Sequence, residues 1–107
     1  MGPLKGVKII EMAGIGPAPM CAMLLADMGA EVIKIEPVGG DPFRGLLMGL
    51  GSARVNGGKR SIGLNLKSDE GKQIVLDLIK SADVLIHNFR PGVPERLGIG
   101  YDTVSEL

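Results

Sequence analysis

The sequence predicts an α/β fold in which a parallel sheet is flanked by helices. Two observations carry this prediction. An apolar run at residues 7–12 is followed by a helical segment and by a second apolar run at 31–36, which together have the length of a βαβ unit. The same order of elements returns at 61–87, where a strand of alternating apolar and polar residues precedes an amphipathic helix and another strand. Strands that are connected through helices in this way run parallel.

The first unit is bounded by clear signals. The mostly apolar run at 7–12 is typical of a buried parallel strand. Glycines and prolines between 14 and 19 end it, and a helix is predicted over about 20–28, because proline is tolerated in a first helical turn. Gly29 predicts a left-handed cap. The strand at 31–36 completes the unit, whose crossover should be right-handed.

A long glycine-rich connection at 37–58 leads to the second unit, and its length indicates either a functional role or disorder. The strand at 61–66 alternates apolar and polar residues, as a half-buried strand does. A helix over about 69–81 follows. Its predicted buried face consists of the apolar residues Ile74, Val75, Leu78 and Ile79.

The last part of the chain is predicted to hold a fourth strand at 83–87 and a short helical segment at 94–97 that ends at Gly98. Thr103 and Glu106 have the spacing of a capping box, so a helix should begin near Thr103. Only one residue follows Glu106, and a helix of one turn is not stable on its own. We therefore expect these residues to be the N-terminal piece of a longer protein.

Composition excludes several classes of protein. The 107 residues suffice for one small domain, and the 12 basic and 12 acidic side chains give no net field toward nucleic acid or an anionic membrane. Aromatic residues make up only 3%, too few for a surface that stacks single-stranded nucleic acid. No metal-ligand spacing and no bilayer-length apolar run occur. The lone Cys21 is predicted to be a small core residue, and the protein to be cytoplasmic.

The residues from 57 to 67 are the first candidate site. Two cations stand near the beginning of this strand, Lys67 stands after it, and ligands of open α/β sheets collect at the carboxyl ends of strands. We predict that the stretch helps hold a large anionic ligand; the alternative is a surface strand with solvated charges. A ligand with several phosphates would need more cations. Those outside the predicted core are Arg44, Arg54, Lys59, Arg60, Lys67, Arg90 and Arg96.

A dinucleotide site is the second hypothesis. Gly14 and Gly16 follow the first strand, and Glu36 ends the second strand where an acid that binds a ribose would stand. Pro19 occupies the position of the third glycine, however, so the fingerprint is incomplete and a plain strand-to-helix turn is favoured. The only histidine, His87, follows the fourth strand and is a possible base with no evident partner acid.

Three groups of motifs resemble the class III coenzyme A transferase family of the CaiB/BaiF type, which includes the α-methylacyl-CoA racemases. The first is EMAGIGPAP at 11–19, followed by LADMGA and VIKIE up to residue 36. The second is GKRSI with LNLK at 58–67, and the third is NFRPG with ERLG at 88–98. The motifs cover nearly the whole chain in the family's order.

The resemblance implies a Rossmann-like parallel sheet with flanking helices, and identifies residues 1–107 as the N-terminal portion of a large coenzyme A-binding domain. A second domain and two interlocked chains would complete the protein. The resemblance implies that the adenine and phosphate end of coenzyme A is lined by Leu64, Asn65, Leu66 and Lys67. It also implies that Asn88, Arg90 and Arg96 lie near its pantetheine or phosphates, and that the backbone of Ile15, Gly16 and Pro17 passes close to it. Coenzyme A enters as part of the substrate, with no tightly bound cofactor and no metal.

Two positions depart from the family pattern. Many relatives carry an arginine after the second strand that contacts the nucleotide, whereas this chain has Pro37; that contact is lost or is taken over by Arg44. Many relatives also have a glutamate where this chain has His87. The resemblance implies that the catalytic groups lie beyond this chain, so the chain alone should be inactive.

The resemblance leaves two reactions open. The motifs at 13–17 and 21–27 favour an α-methylacyl-CoA racemase, which removes and returns a proton at the carbon next to the thioester. The motifs at 34–37 and 40–41 favour a transferase, which moves coenzyme A between carboxylic acids through an aspartyl intermediate. The racemase is preferred, and a nucleotide-binding module without chemistry is the third possibility. A homodimer is expected, with no nucleic acid or membrane partner.

Overall fold

The computed structural model describes residues 2–14, 17–38 and 58–107. Their four strands are β1 (Lys8–Met12), β2 (Glu31–Glu36), β3 (Lys59–Gly63) and β4 (Val84–Ile86). They form one parallel sheet in the order β3-β2-β1-β4, which confirms the predicted α/β fold. The chain first builds outward from β1 to β3 and then adds β4 on the other side of β1, so the strand order reverses between β1 and β4.

Four helices accompany the strands within the described ranges: α1 (Pro17–Asp27), α2 (Asp69–Lys80), α3 (Val93–Arg96) and α4 (Tyr101–Val104). Helix α1 begins three residues earlier than predicted. It ends where expected, because Gly29 takes the left-handed conformation, with φ of 104°, that closes a helix and that a residue with a Cβ avoids. Within residues 2–14, 17–38 and 58–107, no helix is long and apolar enough to cross a membrane.

The sheet is covered on both faces, so β1 and β2 bury apolar residues on both sides. On one face, Ile9 and Val32 pack against α1 through Ala22. On the other face, Ile10 and Met12 belong to a larger cluster with residues of α2. The buried members of that cluster are Ile10, Met12, Ile35, Leu64, Val75, Ile79 and Ile99.

The second unit differs from its prediction in two details. Strand β3 ends at Gly63 and is largely exposed, because it pairs with β2 alone among the described strands. Leu64 lies beyond the strand and is buried in the core. In α2 the burial of Val75 and Ile79 is confirmed, but Ile74 is exposed. Adjacent helical positions point about 100° apart, so a helix that centres Val75 on the sheet turns Ile74 outward.

Two further predictions were wrong. Cys21 is exposed, because Ala18 and Ala22 are the α1 positions that face the sheet. The last helix begins at Tyr101 and contains Thr103, so no capping box operates there. Its N-cap is Gly100, whose carbonyl oxygen accepts hydrogen bonds from the N–H groups of Thr103 and Val104. The one-turn helix is supported by tertiary packing, since Val104 contacts the core cluster.

Candidate functional site

A cavity of about 590 Å³ opens at the carboxyl ends of β1, β2 and β3. Its walls come from residues 12–13, 35–38 and 64–67, together with Phe89 and Leu97. The lining is mostly apolar, and Lys67 is the lysine on its rim. A largely apolar cleft with a few polar groups at the carboxyl ends of parallel strands is typical of a ligand site in an open α/β sheet.

The loop between β3 and α2, which forms one wall of this cavity, is held by several hydrogen bonds. The N–H group of Leu64 donates to the carbonyl oxygen of Glu36 at 2.9 Å, which extends the β2–β3 pairing by one residue. The side-chain oxygen of Asn65 accepts from the N–H group of Lys67 at 3.0 Å. Asparagine favours such local turns because its side chain can replace a backbone acceptor. Residues 64–67 are therefore held in one shape before any ligand arrives.

Ser68 ties the same loop to α2. Its hydroxyl donates to the carbonyl oxygen of Asn65 at 2.9 Å and accepts from the N–H group of Gly71 at 3.0 Å, as an N-cap residue does. A methyl group on Gly71 would overlap the carbonyl oxygen of Asn65 and lie 2.7 Å from its carbonyl carbon. Only glycine allows the loop to pack this closely on the helix.

The switch point between β1 and β4 lies beside the cavity and is built from Gly14 and residues 87–89. A Cβ atom on Gly14 would lie 2.5 Å from the side-chain oxygen of Asn88. His87 stacks on Phe89 with ring centroids 5.2 Å apart, and its Nδ1 atom accepts a hydrogen bond from the N–H group of Phe89 at 3.2 Å. His87 thus shapes the segment that carries Phe89 to the cavity.

The site residues suggested by the family motifs fall into three groups. Leu64, Asn65, Leu66 and Lys67 all line the cavity. Asn88, Arg90 and Arg96 are exposed and lie outside its lining, although Phe89 and Leu97 next to them belong to it. Pro17 is exposed at the first position of α1. Their contacts with a ligand stay predictions.

Several other sequence predictions concern residues outside the described ranges. These are Ile15, Gly16, Arg44 and Arg54. Pro37, which stands where many relatives have an arginine, lines the cavity and contributes an apolar surface there.

The buried charges on the α1 face of the sheet were missed from the sequence. The ammonium group of Lys59 lies 2.6 Å from Glu11 Oε1, and the side chains are 1% and 0% exposed. Lys34 Nζ lies 3.7 Å from Glu36 Oε1. Glu36, which the dinucleotide hypothesis assigned to a ribose, is therefore engaged in a buried ion pair. A signal existed, since a charged residue inside an otherwise apolar buried strand must find a partner.

The groups that line this cavity suit the binding of a ligand. Within the described ranges, no group of three potential metal ligands is assembled. The cavity offers apolar walls, the ammonium group of Lys67, the acidic residue Glu36 and the polar groups of the 64–67 loop. That combination suits the holding of a ligand with an apolar or planar part and an anionic part.

The sheet order matches the first four strands of the doubly wound order 3-2-1-4-5-6 found in nucleotide-binding domains, with the cavity at its carboxyl edge. The family model for "CoA-transferase family III" matches residues 4–107. The chain therefore belongs to CoA-transferase family III.

Named relatives agree with this membership. An acyl-CoA transferase of Fusarium pseudograminearum is 46% identical over 99% of this chain and 26% of its own length. The β subunit of succinyl-CoA–L-malate CoA-transferase of Chloroflexus aurantiacus is 41% identical over 98% of this chain and 28% of its own length. A CaiB/BaiF family protein from Brucella suis, known from a crystal structure, superposes with a TM-score of 0.91 at 34% identity. The comparison covers 98% of this chain and 30% of that one.

The chain thus spans between a quarter and a third of the length of these relatives. The preference for a racemase receives no specific support from them, since the relatives with a stated activity are transferases.

Proposed function

We propose that this chain is the coenzyme A-binding part of a CoA transferase that moves coenzyme A between carboxylic acids. The observation that carries the proposal is the preformed 64–67 loop, which lines a cavity at the carboxyl edge of the sheet in a member of CoA-transferase family III. The transferases among the matched relatives support the choice of reaction.

The cavity has features that suit the nucleotide end of coenzyme A. Met12, Leu64 and Phe89 supply apolar surface against which an adenine ring could pack. Lys67 is exposed at the rim, where its ammonium group can approach a phosphate without leaving water. Asn65 has its side-chain oxygen committed to the turn, so its side chain would contribute to binding through the two donors of its amide NH2 group.

In this proposal the chain holds and orients the substrate, and the reacting groups come from the rest of the protein. The family resemblance implies an aspartate whose carboxylate attacks the thioester carbonyl and expels coenzyme A as a thiolate, leaving an anhydride. The thiolate then attacks the aspartyl carbonyl, releases the first acid and forms an aspartyl thioester. A homodimer in the cytoplasm is proposed as well, on the same resemblance.

An α-methylacyl-CoA racemase is the second candidate, favoured by the sequence motifs at 13–17 and 21–27. It would use the same cavity for coenzyme A and would differ only in groups that act at the carbon next to the thioester. The binding site is therefore common to both reactions, and the experiment has to follow the acyl group.

The deciding experiment uses the whole protein with a 2-methylacyl-CoA in deuterium oxide, with and without a second carboxylic acid. Formation of a new acyl-CoA that depends on the added acid is expected. Exchange of the α-proton without an acceptor acid would instead establish the racemase. Coenzyme A affinity without either reaction would leave a binding module, and no affinity would refute the proposal.

The 107-residue chain alone provides a further check. It is expected to show neither transfer nor exchange, because the proposal assigns the nucleophile to residues outside it. Turnover by the purified chain would contradict that assignment.

A further inference from the structure

A single buried ammonium group joins three elements on the α1 face of the sheet. Lys59 begins the edge strand β3, and its side chain crosses β2 to reach Glu11 on β1 at 2.6 Å. The same Nζ atom donates a hydrogen bond to the carbonyl oxygen of Pro19, in the first turn of α1, at 3.0 Å. Lys59 thus links β3, β1 and α1 at a point from which water is excluded.

We propose that Glu11 and Lys59 are positioning residues, which hold the first turn of α1 in the place that the coenzyme A site requires. The inference rests on the proposed function. Helix α1 begins just after the segment that follows Gly14, so a displacement of its first turn would also displace the switch point between β1 and β4. Neither side chain lines the cavity, and both act through the backbone that they hold.

The choice of charged residues at these positions supports a task beyond stability. A buried ion pair costs several kcal/mol per ion in desolvation, and well-packed apolar residues often replace such a pair without loss of stability. An apolar replacement would fill the space but would remove the hydrogen bond from Lys59 to the Pro19 carbonyl. The pair therefore supplies a fixed geometry between the helix and the sheet that packing alone would leave less defined.

The pair also belongs to a larger group of charges on the same face. Glu11 stands opposite Lys34 in the pairing of β1 with β2, and Lys34 in turn pairs with Glu36. The backbone oxygen of Glu36 accepts a hydrogen bond from the N–H group of Leu64. Leu64 is the first residue of the loop that lines the cavity. The charged side chains thus extend from Lys59, which contacts the first turn of α1, to Glu36, whose backbone pairs with Leu64.

The test compares Lys59→Met, Glu11→Gln and the double variant in the whole protein. Lys59→Met is expected to lower the melting temperature strongly, because it leaves Glu11 as a buried charge without this partner. The double variant carries no charge at either position, so its melting temperature should return close to that of the wild type. If the ion pair served stability alone, the double variant would then behave like the wild type in every measurement.

Two measurements on the double variant decide the matter. Amide hydrogen exchange at residues 20–23, measured without ligand, should be faster than in the wild type. KM for the acyl-CoA should rise about tenfold with kcat unchanged, since a misplaced binding element weakens binding without touching the reacting groups. Wild-type exchange together with wild-type KM in a stable double variant would overturn the proposal.

Arg60 and Glu31 provide the matched control. They form an ion pair one residue along β3, with side chains 70% and 45% exposed. Arg60→Met combined with Glu31→Gln should change neither the exchange nor KM, because exposed ion pairs contribute little.

Two further results keep the test decisive. If the double variant does not fold, Glu11→Gln decides, since it keeps the shape of the side chain but removes the charge that holds the Lys59 ammonium group. Faster exchange at 20–23 supports the positioning role, and unchanged exchange refutes it. If the wild type binds no coenzyme A, the proposed function fails. The exchange measurement, which needs no ligand, would still report whether the pair holds α1.

Discussion

The side-chain oxygen of Asn88 occupies the space that a methyl group on Gly14 would need, since a Cβ atom there would lie only 2.5 Å away. Gly14 follows β1 and Asn88 follows β4, so the two residues meet where the strand order reverses. In open α/β sheets this is the position at which ligands bind. The close approach of these residues therefore makes the shape of the crevice sensitive to a single methyl group.

Replacement of Gly14 by alanine tests this relationship. The added methyl group should push the Asn88 side chain aside, because a side chain yields more easily than backbone. We expect a modest loss of stability, about 1 kcal/mol, and a larger relative loss of coenzyme A affinity, measured by calorimetry on the whole protein.

Gly63→Ala is the matched control, because its methyl group would stand 3.9 Å from the nearest atom, the carbonyl oxygen of Pro37. It should leave affinity unchanged. Equal affinity losses in the two variants would show that the Gly14–Asn88 contact has no special role.

Lys67 is predicted to meet a phosphate of the ligand. Lys67→Met should raise the dissociation constant for coenzyme A about tenfold and should make binding less sensitive to salt, because one ionic contact is removed. Titrations at low and high ionic strength measure both effects. Lys80→Met, at the opposite end of α2 and also exposed, should change neither. A salt dependence that is the same in all three proteins would contradict a phosphate contact at Lys67.

Gly71 allows the 64–67 loop to rest on α2. In Gly71→Ala the methyl group would meet the backbone of Asn65, which cannot rotate away. We expect a loss of about 3 kcal/mol, at the upper end of the usual cost of overpacking, and a clear drop in melting temperature. Gln73→Ala, at an exposed position in the same helix, is the control and should stay within about 0.5 kcal/mol of the wild type. An unchanged melting temperature in Gly71→Ala would mean that the loop is free to move.

Ser68 caps α2 and holds the loop at once. Ser68→Ala should destabilise the protein by about 1 kcal/mol, the usual cost of a lost N-cap, and should weaken coenzyme A binding because the Asn65 carbonyl loses a donor. Denaturation curves and binding titrations report the two effects separately. Ser105→Ala, whose hydroxyl makes only a 3.4 Å contact, should alter neither quantity. Full affinity in Ser68→Ala would assign the serine to helix stability alone.

Much of the fold could be predicted because it depends on local patterns. The apolar strands β1 and β2, the glycine that ends α1 and the amphipathic α2 are each determined by residues within a few positions of one another. The predictions that were wrong concern features that depend on contacts between helices and strands. Whether Cys21 or Ala22 faces the sheet depends on how α1 is rotated against β1, and the start of α4 depends on packing against the core cluster.

The candidate site was predictable in part. Residues 64–67 carry their own turn-forming asparagine and serine cap, and they follow a strand, so their place at the carboxyl edge could be deduced. Asn88, Arg90 and Arg96 were grouped with them by the family motifs. The structure separates the three from the lining of the cavity, because Phe89 and Leu97 occupy the positions that face inward.

The sequence by itself determined the alternation of strands and helices, the membership of the family and the identity of the loop at the strand end. Hydrophobic periodicity, glycine and proline positions and motif order are all properties of neighbouring residues. Only the tertiary structure decided the strand order, the meeting of Gly14 with Asn88 and the burial of Lys59 against Glu11. These relationships join residues that are distant in the chain, and they form because the sheet must cover both its faces and pair every charge that it buries.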